Sequence, residues 1–329
     1  MSDPSDPSRE AALSAGPQSA LVAYDGSPDA KSAIRHAASL LGARPVVVLT
    51  VWRSARHVAS AARLALPDDI VEGGVEGLDA DAREAAESLA AEGAALARDA
   101  GVEAEPAALL ADGAIAAAIV RAASERSAAV IVLGSRGRSE ITSALLGGVA
   151  YGVLHAATQP VLAVSHASPD HPAGPVMLCY DGSVNEGRAI KAAARLFGVT
   201  AAVATHYRET IESAIMLRTA AQGFLLAEMK EALDELERAA RDDARRVSED
   251  GAALAREAGF RAEALAVSGD EGAWPALLRV ADERDASVLV VGSRGRSGLA
   301  SLVLGSVSHA LLHRSRRPVL VVPPGDGDT

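Results

Sequence analysis

The chain has few aromatic residues, one cysteine and no long apolar run. Only 3% of its 329 residues are Phe, Trp or Tyr, so we expect a core built from Ala, Val, Leu and Ile. The single cysteine, Cys179, excludes a disulfide within the chain and any metal site made of several cysteines. No apolar run reaches the roughly 18 to 20 residues that a membrane helix needs, and residues 1–19 are acidic and rich in Pro and Ser, unlike a signal peptide. These absences predict a cytoplasmic protein that has no membrane partner.

An excess of positive charge is also lacking. The formal net charge is −11 and the isoelectric point is near 5.3. Proteins that grip nucleic acid or anionic lipid without sequence preference do so through clustered Lys and Arg. We therefore expect no nucleic-acid partner.

The sequence contains two copies of one unit. The stretch 24–27, Tyr-Asp-Gly-Ser, returns at 180–183, an offset of 156 residues. The stretch 134–139 returns at 292–297, an offset of 158 residues. Near-equal offsets at separated landmarks indicate tandem domains, and the period is too long for a solenoid.

The two domains are predicted to be residues 20–165 and residues 176–323. The segment 166–175 has three prolines, one glycine and no periodicity, so we predict that it is the linker. Residues 1–19 and 324–329 are predicted to be disordered tails.

Strands and helices alternate along each domain. In domain one the apolar runs predict strands at residues 20–24, 46–51, 102–110, 129–133 and 161–164, and helical patterns lie at residues 30–41, 80–100 and 115–125. This order predicts an α/β fold made of two tandem open parallel five-stranded sheets, each with helices on both faces.

Domain two carries a longer helical insert over residues 211–258. Apolar residues three and four apart form a stripe along it: Leu225, Met229, Leu233, Leu236 and Ala240. We interpret the stripe as core packing. A lid over a ligand and a partner-binding helix are the alternatives.

A glycine-bearing loop lies between the last two strands of domain two. The apolar run 288–291 is followed by Gly292 and Gly295, then by nine residues, then by Gly305 and Ser306, where a helical pattern begins. Such a loop lies at the carboxyl end of a strand, where open α/β sheets bind ligands. Glycines let backbone amides approach phosphate oxygens closely, and a helix start favours an anion. Ser306 is expected to cap the helix or to donate its hydroxyl to a phosphate.

The element order, the Asp-Gly-Ser turn and the glycine spacing together resemble the universal stress protein family. The phosphate signature of that family is Gly, two residues, Gly, nine residues, then Gly-Ser or Gly-Thr, and domain two matches it at Gly292, Gly295, Gly305 and Ser306. The resemblance covers nearly the whole chain outside the tails. It implies an adenine nucleotide as the bound cofactor: ATP, or AMP or ADP, with or without Mg²⁺.

The resemblance also implies which residues form each pocket. Asp181 would lie on the base and ribose side, His206 would offer backbone groups to the adenine edge, and Val291 would border the base. The implied nucleotide-binding residues of domain two are Asp181, His206, Val291, Gly292, Gly295, Gly305, Ser306, Val307 and Ser308. The positions of domain one that correspond in order to Asp181, His206, Val291, Gly292, Gly295 and Gly305 are Asp25, Val51, Leu133, Gly134, Gly137 and Gly147.

Domain one departs from the signature at the helix start. Gly148 and Ala150 stand where domain two has Ser306 and Ser308, so two hydroxyl donors are missing. A lost hydrogen bond to a charged group costs roughly 1.5 to 3 kcal/mol, enough to weaken binding by one to two orders of magnitude. We therefore predict two unequal sites, with the better one in domain two.

Some of these residues have a second interpretation. Asp25 and Asp181 suit an ordinary turn, and the glycines suit close packing alone. The loop arginines are either phosphate clamps or solvated side chains: Arg136, Arg138, Arg294 and Arg296. His309 and His313 share a helix face at a spacing that suits zinc, but no third ligand is in view and no metal site is predicted. Cys179 lies in an apolar strand and is expected to be inert.

Motifs of the common nucleotide-using enzymes are absent. No Gly-x-x-x-x-Gly-Lys-Ser/Thr loop occurs, which excludes a P-loop NTPase, and no Gly-x-Gly-x-x-Gly follows a first strand, which disfavours NAD or FAD. No Ser-His-Asp or Cys-His set can be assembled, and no general base is visible near the proposed phosphates. We therefore predict that the protein is not an enzyme, with slow ATP hydrolysis left open.

Three functions remain open on these grounds. The first is an ATP-binding regulator of the stress response. The second is an interaction scaffold in which the apolar edge runs 161–164 and 319–322 pair the two domains within one chain, or pair two chains as a homodimer. The third and least supported is an enzyme of adenylyl or phosphoryl transfer, because related folds carry out such chemistry.

Overall fold

The chain folds into one continuous ten-stranded sheet with helices on both faces. The computed structural model describes residues 18–55, 68–137, 146–169, 174–210, 226–293 and 304–325. The first half contains β1 (Ala20–Ala23), α1 (Pro28–Leu40), β2 (Val46–Trp52), α2 (Asp68–Asp99), β3 (Ala104–Leu110), α3 (Ile115–Glu125), β4 (Val130–Gly134), α4 (Gly148–Ala156) and β5 (Val161–Val164). The second half contains β6 (Val176–Cys179), α5 (Val184–Phe197), β7 (Ala201–Glu209), α6 (Leu226–Glu257), β8 (Arg261–Gly269), α7 (Ala273–Glu283), β9 (Val288–Gly292), α8 (Ser306–Arg314) and β10 (Val319–Val322).

The sheet is parallel within each half and antiparallel where the halves meet. Its strand order is β3-β2-β1-β4-β5-β10-β9-β6-β7-β8. At the centre β5 and β10 run antiparallel, with Leu162 opposite Leu320. The predicted α/β fold with parallel five-stranded halves is confirmed. The two sheets are joined edge to edge into one through the apolar runs 161–164 and 319–322, which the scaffold interpretation pairs.

The composition of β5 and β10 explains why they pair. Each is a run of four buried apolar residues. An unpaired apolar edge would leave a row of backbone N–H and C=O groups without partners and would invite aggregation. The pairing gives those groups partners within the chain.

Two hydrophobic cores lie on opposite faces of the sheet, and each runs through both halves. Side chains alternate along a strand, so Val22 belongs to the core beneath α1 and α2 while Leu21 belongs to the core beneath α3 and α4. Leu162 and Leu320 lie side by side in the first core and are fully buried. The central pair therefore joins the hydrophobic interiors of the two halves as well as their backbones.

The predicted core stripe of the domain-two insert is wrong at one residue. Leu236 is 53% exposed, so it does not pack in the core, and Ala240 is half-buried. Leu225 lies outside the described residues, as do the side chains of Met229 and Leu233.

The buried face of α6 lies further along the helix and consists of small residues. Its fully or nearly buried members are Ala244, Ser248, Ala252 and Ala255. Small side chains are needed because the helix lies close to the sheet: at Gly251 an added Cβ would lie 2.7 Å from the ring of Tyr180. Although α2 and α6 are each 32 residues long, none of the helices in the described part of the chain has the apolar length of a membrane span.

Truncation of Leu320 is expected to destabilise both halves together. Leu320→Ala removes a fully buried side chain opposite Leu162, so the free energy of unfolding should fall by about 2 to 5 kcal/mol. Urea unfolding followed through Trp52 and Trp274, one in each half, should show both transitions at lower urea. The control is Val199→Ala, since Val199 is 76% exposed and its truncation should change stability by less than about 0.5 kcal/mol. A shift confined to Trp274 would contradict a shared core.

Candidate functional site

Each half of the sheet has a cavity at the carboxyl ends of its strands. The cavity of domain one, about 260 Å³, lies beyond β1, β2 and β4 and against the first turn of α4. The cavity of domain two, about 220 Å³, lies beyond β6 and β7 and against the first turn of α8. Open α/β sheets bind ligands in this position.

Every residue that the sequence predicts for domain one lines its cavity: Asp25, Val51, Leu133, Gly134, Gly137 and Gly147. Leu49, Ile115 and Ile119 extend the apolar part of the lining. Arg136 and the first turn of α4 supply its positive part. The cavity therefore combines an aliphatic surface with a place for an anion.

The residues predicted for domain two are only partly brought together. Those that line its cavity are Asp181, His206, Gly305, Ser306, Val307 and Ser308. Val291 and Gly292 are buried and stand outside the described lining. Gly295 lies outside the described residues, as do Arg138, Arg294 and Arg296.

Asp25 and Asp181 each hold the turn that leads into a helix. The Oδ1 atom of Asp25 accepts a hydrogen bond from the Ser27 amide at 3.0 Å, and Oδ1 of Asp181 accepts one from the Ser183 amide at 2.8 Å. The two serines then cap α1 and α5. The turn interpretation of these aspartates is therefore correct, and both side chains line a cavity as well.

The second strands of the two domains align one residue away from the predicted match. β2 pairs with β1, and β7 with β6, in registers that differ by a constant 156 residues. His206 therefore corresponds to Thr50, and Tyr207 corresponds to Val51. The predicted equivalence of His206 with Val51 is therefore wrong by one residue. Since successive side chains of a strand alternate between faces, the side chains of His206 and Val51 lie on opposite faces of the sheet.

Thr50 and His206 play the same structural part. The Thr50 hydroxyl donates to the carbonyl of Tyr24 at 3.0 Å, and Nδ1 of His206 donates to the carbonyl of Tyr180 at 2.8 Å. The imidazole of His206 is thus engaged by the first strand. Its backbone groups remain candidates for a ligand contact at the end of β7.

The third glycine of each signature is the N-cap of the following helix. Gly147 precedes α4 and Gly305 precedes α8, and neither cap has a side-chain hydrogen bond. The Gly147 amide donates to the carbonyl of Ser135, and the Gly305 amide to that of Ser293, each at 2.8 Å. These bonds close the loop onto the strand end. The N–H groups of the first helical turn have no carbonyl partner within the helix, which favours an anion there.

The structure excludes the capping role predicted for Ser306 and gives the Ser308 hydroxyl a partner within the chain. Ser306 is the first residue of the helix and makes no cap bond, because Gly305 occupies the cap position. Its exposed side chain lines the cavity. Ser308 is 6% exposed and donates its hydroxyl to the carbonyl of Gly292 at 2.7 Å. This hydrogen bond holds the end of β9, and a donor role of Ser308 towards a ligand stays a prediction.

Asp29 is a site residue that the sequence did not reveal. Its carboxylate is buried in the first turn of α1, and Oδ2 accepts hydrogen bonds from the Ser135 hydroxyl at 2.8 Å and the Arg136 amide at 3.0 Å. Oδ1 accepts the amide of His166 at 3.0 Å and contacts Nδ1 of that residue. The carboxylate thus joins α1, the start of the glycine loop and the chain after β5. An acid in a first helical turn is too common to have signalled this role.

Domain two has no such carboxylate at the equivalent position. Asn185 stands at the position of Asp29, and the serine that corresponds to Ser135 is Ser293. The buried Oδ1 of Asn185 and the buried hydroxyl of Ser293 have no hydrogen-bond partner among the described residues. The loop of domain one is therefore held by a contact that domain two lacks.

Glu186 is a second residue that the sequence reasoning missed. It lines the domain-two cavity at the position of Ala30, is 9% exposed, and its Oε2 accepts the amide of Asp181 at 2.9 Å. Burial, and then the neighbouring Asp181 carboxylate, raise the pKa of Glu186 well above its usual range. The Ser-x-x-Glu spacing from Ser183 to Glu186 is a capping-box pattern that could have indicated an inward-facing acid. Burial also raises the pKa of the Cys179 thiol, as expected for an unreactive cysteine.

The histidines with zinc spacing contact one another. The ring centroids of His309 and His313 are 4.3 Å apart. In the described part of the chain no group of three or more His, Cys, Asp or Glu residues could hold a metal ion. We assign the pair no metal.

Comparison with known proteins identifies the family. The model of the universal stress protein family matches residues 17–165 and, separately, residues 173–323. The chain belongs to the universal stress protein family. It is a tandem member, and its two cavities are the corresponding sites of the two family units.

Individual relatives match this universal stress protein over different spans. Universal stress protein YxiE of Bacillus subtilis (strain 168) is 38% identical over 92 residues, which are 27% of this chain and 60% of YxiE. Universal stress protein Rv2005c of Mycobacterium tuberculosis (strain ATCC 25618 / H37Rv) is 51% identical over 47 residues, 14% of this chain and 16% of that protein. The chain thus matches less than two thirds of the length of either relative. The crystal structure of a universal stress protein from Archaeoglobus fulgidus DSM 4304 shares the fold, with a TM-score of 0.59, 22% identity and coverage of 94% of this chain and 100% of its own.

Removal of the Asp29 carboxylate is expected to destabilise this universal stress protein. Asp29→Ala leaves the donors on Ser135, Arg136 and His166 without their acceptor, so the free energy of unfolding should fall by at least about 1.5 to 3 kcal/mol. Urea denaturation measures the change. The matched control is Asn185→Ala, whose side-chain oxygen has no partner among the described residues, and which should cost less than about 1 kcal/mol. Equal losses in the two variants would contradict the role of Asp29.

Glu186→Gln is expected to stabilise the protein increasingly as pH rises. The folded-state pKa of Glu186 is raised, so the folded chain keeps this proton more tightly than the unfolded chain. The stability that this group provides is therefore present below its ordinary pKa of 4.5 and is lost as pH rises towards the raised value. Glutamine keeps the acceptor oxygen and cannot ionise.

Urea denaturation from about pH 4 to about pH 8 tests this expectation. The stability difference between Glu186→Gln and the unsubstituted protein should grow with pH. Glu257→Gln, at an exposed position near the end of α6, should show no such growth. A pH-independent difference for Glu186→Gln would contradict a raised pKa.

Proposed function

We propose that this universal stress protein binds an adenine nucleotide in each domain and regulates partners of the stress response according to its occupancy. The observation that carries the proposal is the composition of the two cavities. Each brings together aliphatic side chains, an aspartate after the first strand, and the N-terminus of a helix that has a glycine cap. An adenine ring, a ribose and a phosphate chain need these three surfaces in turn.

The parts of the nucleotide can be matched to the described residues of domain one. Leu49, Val51 and Leu133 provide an apolar surface for the base. Asp25 provides a carboxylate that can accept hydrogen bonds from ribose hydroxyls. The first turn of α4 and the guanidinium of Arg136 favour the negative charge of the phosphates.

We propose that the two sites have unequal affinity. Ser306 gives domain two one hydroxyl that Gly148 of domain one lacks. Acting against it, Glu186 places a second carboxyl group in the domain-two cavity, where domain one has Ala30. The bulk of Tyr207 at the position of Val51 also accords with the smaller cavity in domain two.

The other predicted functions have less support. In the scaffold alternative, the pairing of β5 with β10 within the chain fits the predicted pairing of the two domains, but it leaves neither strand free to pair with a second chain. No step of adenylyl or phosphoryl transfer can be assigned to named residues. The finer points of the sequence analysis stay predictions: ATP rather than AMP or ADP, an accompanying Mg²⁺, intramolecular pairing of the domains in solution, a homodimer and a cytoplasmic location.

The two tryptophans of the chain allow each site to be measured separately. Trp52 follows Val51 of the first cavity, and Trp274 follows Ala273 of the second. Titration of Trp274→Phe should report domain one, and titration of Trp52→Phe should report domain two. ATP, ADP and AMP should each change the fluorescence, and GTP should bind more weakly.

The outcome also decides which site is stronger. Tighter binding reported by Trp274 supports the order predicted from the sequence, and tighter binding reported by Trp52 shows that Glu186 outweighs Ser306. Equal affinities contradict unequal sites. No response to any nucleotide, together with no heat of binding by calorimetry, contradicts the proposed function.

Substitutions at Gly148 test the phosphate end of the domain-one site. An added Cβ at Gly148 meets no atom within 4 Å, so side chains fit there without rearrangement. Gly148→Ser restores the missing hydroxyl and should strengthen binding about tenfold. Gly148→Asp should weaken binding by a similar factor of about ten, although an acid at a helix start stabilises the helix. Gly148→Ala is the matched control, and identical affinities in all three variants would place the phosphates elsewhere.

A further inference from the structure

Helix α8 lines the cavity of domain two and contacts a residue beside the cavity of domain one. Its first turn, with Ser306, Val307 and Ser308, lines the cavity of domain two. Near its other end, Nδ1 of His313 accepts a hydrogen bond from the backbone amide of Leu146 at 3.1 Å. Leu146 belongs to domain one and directly precedes Gly147, which lines the domain-one cavity. One helix of nine residues therefore spans the distance between the two sites.

The sheet topology explains how α8 reaches the other domain. A crossover helix runs antiparallel to the strands it joins, so α8 begins at the carboxyl end of β9 and ends where β10 begins. Because β10 and β5 are antiparallel, the start of β10 lies beside the end of β5. The end of β5 is on the edge of the sheet that holds the domain-one cavity. The central strand pair therefore places His313 next to the loop of domain one.

On the domain-two side, neighbouring residues hold the end of α8 and the ring of His313 in place. Leu311 and Leu312 are buried and fix the last turns of α8. The ring of His309 lies against that of His313, and the guanidinium of Arg314 lies 4.6 Å from the centre of the Trp274 ring on α7. A backbone N–H can only donate, so Nδ1 of His313 is the acceptor and its proton is on Nε2.

Leu146, whose backbone amide donates this hydrogen bond, directly precedes the N-cap of α4. The Gly147 amide donates to the carbonyl of Ser135, and Gly147 has no side chain with which to cap α4. The bond from the Leu146 amide to His313 therefore helps to set where α4 begins. The N–H groups at that start are those expected to bind phosphate.

We propose that His313 is a positioning residue for the phosphate-binding loop of domain one, through which occupancy of the domain-two cavity changes the affinity of domain one. This inference rests on the proposed nucleotide binding and adds a residue of one domain to the site of the other. A nucleotide in domain two contacts α7 and the first turn of α8, and α8 transmits a shift along its axis to His313. Coupling of this kind is reciprocal, so each site should change the affinity of the other by the same factor.

Among the described residues, no equivalent hydrogen bond runs in the opposite direction from the Leu304 amide to His155. His155 on α4 occupies the position of His313, and the ring of Tyr151 lies against it as His309 lies against His313. Nε2 of His155 is buried and has no hydrogen-bond partner in the described part of the chain. His155 is therefore a matched control for His313.

Two substitutions separate the hydrogen bond from the ring. His313→Phe keeps an aromatic ring against His309 and removes the acceptor. His313→Asn removes the ring and keeps an acceptor oxygen at the δ1 position. In the Trp274→Phe background, where Trp52 reports domain one, His313→Phe should weaken ATP binding roughly two- to tenfold, as expected for one lost hydrogen bond. His313→Asn should restore most of the affinity, and His155→Phe should leave it unchanged.

Coupling is tested by blocking the domain-two site. Ser306→Asp places a negative charge at the start of α8, where it repels phosphate. With His313 present, this block should change the affinity for ATP that Trp52 reports. With His313→Phe, the same block should have no effect on domain one, so the two substitutions are not additive.

The results distinguish this inference from the function on which it rests. If the unsubstituted protein binds no nucleotide, both fail. If it binds nucleotide but His313→Phe and His155→Phe give the same domain-one affinity, the positioning role of His313 is overturned while the proposed function stands. A loss of domain-one affinity that His313→Asn does not restore would also overturn it, because the ring and not the hydrogen bond would then be responsible. Additive effects of Ser306→Asp and His313→Phe would overturn the coupling.

Discussion

The antiparallel pairing of β5 with β10 is the interaction on which the rest of the structure depends. It gives backbone partners to two apolar strands that would otherwise be exposed edges, and it places Leu162 beside Leu320 in a common core. It also makes the parallel strands of one half run opposite to those of the other half. Because the central strands are antiparallel, the two cavities lie at opposite edges of one sheet, and α8 ends close to the loop of the other domain.

The two domains share a backbone frame and differ in the side chains around the cavities. The Asp-Gly-Ser turn, the capped first helix and the glycine N-cap occur in both. Glu186 and Tyr207 give domain two a second carboxyl and an extra ring in place of Ala30 and Val51. Ser306 gives it a hydroxyl. The two units thus share the parts that shape each cavity and differ in the charge and size of the cavity.

Domain one has additional contacts that join its glycine loop to the chain leading into domain two. Asp29 holds both Ser135 of the loop and His166 after β5. About two turns further along α1, the buried imidazole of His36 contacts the carbonyl of Pro169 through Nε2. Helix α1 therefore contacts the start of the glycine loop, the residue after β5 and the described start of the connecting segment.

Local patterns were enough to predict the repeated unit, the α/β class, the family and the residues that line the domain-one cavity: apolar runs, turn residues and glycine spacing. The sequence did not reveal Asp29, Glu186 or the cross-domain contact of His313. It gave the Ser308 hydroxyl a donor role towards the ligand, whereas in the structure this hydroxyl donates to the carbonyl of Gly292. The reason is that each of these roles depends on a partner far away in the chain. The apolar runs 161–164 and 319–322 predicted that these edges pair, either within one chain or between two chains. In the structure they pair within the chain and run antiparallel, with Leu162 opposite Leu320, because the direction and register of the pairing depend on how the two halves meet in space.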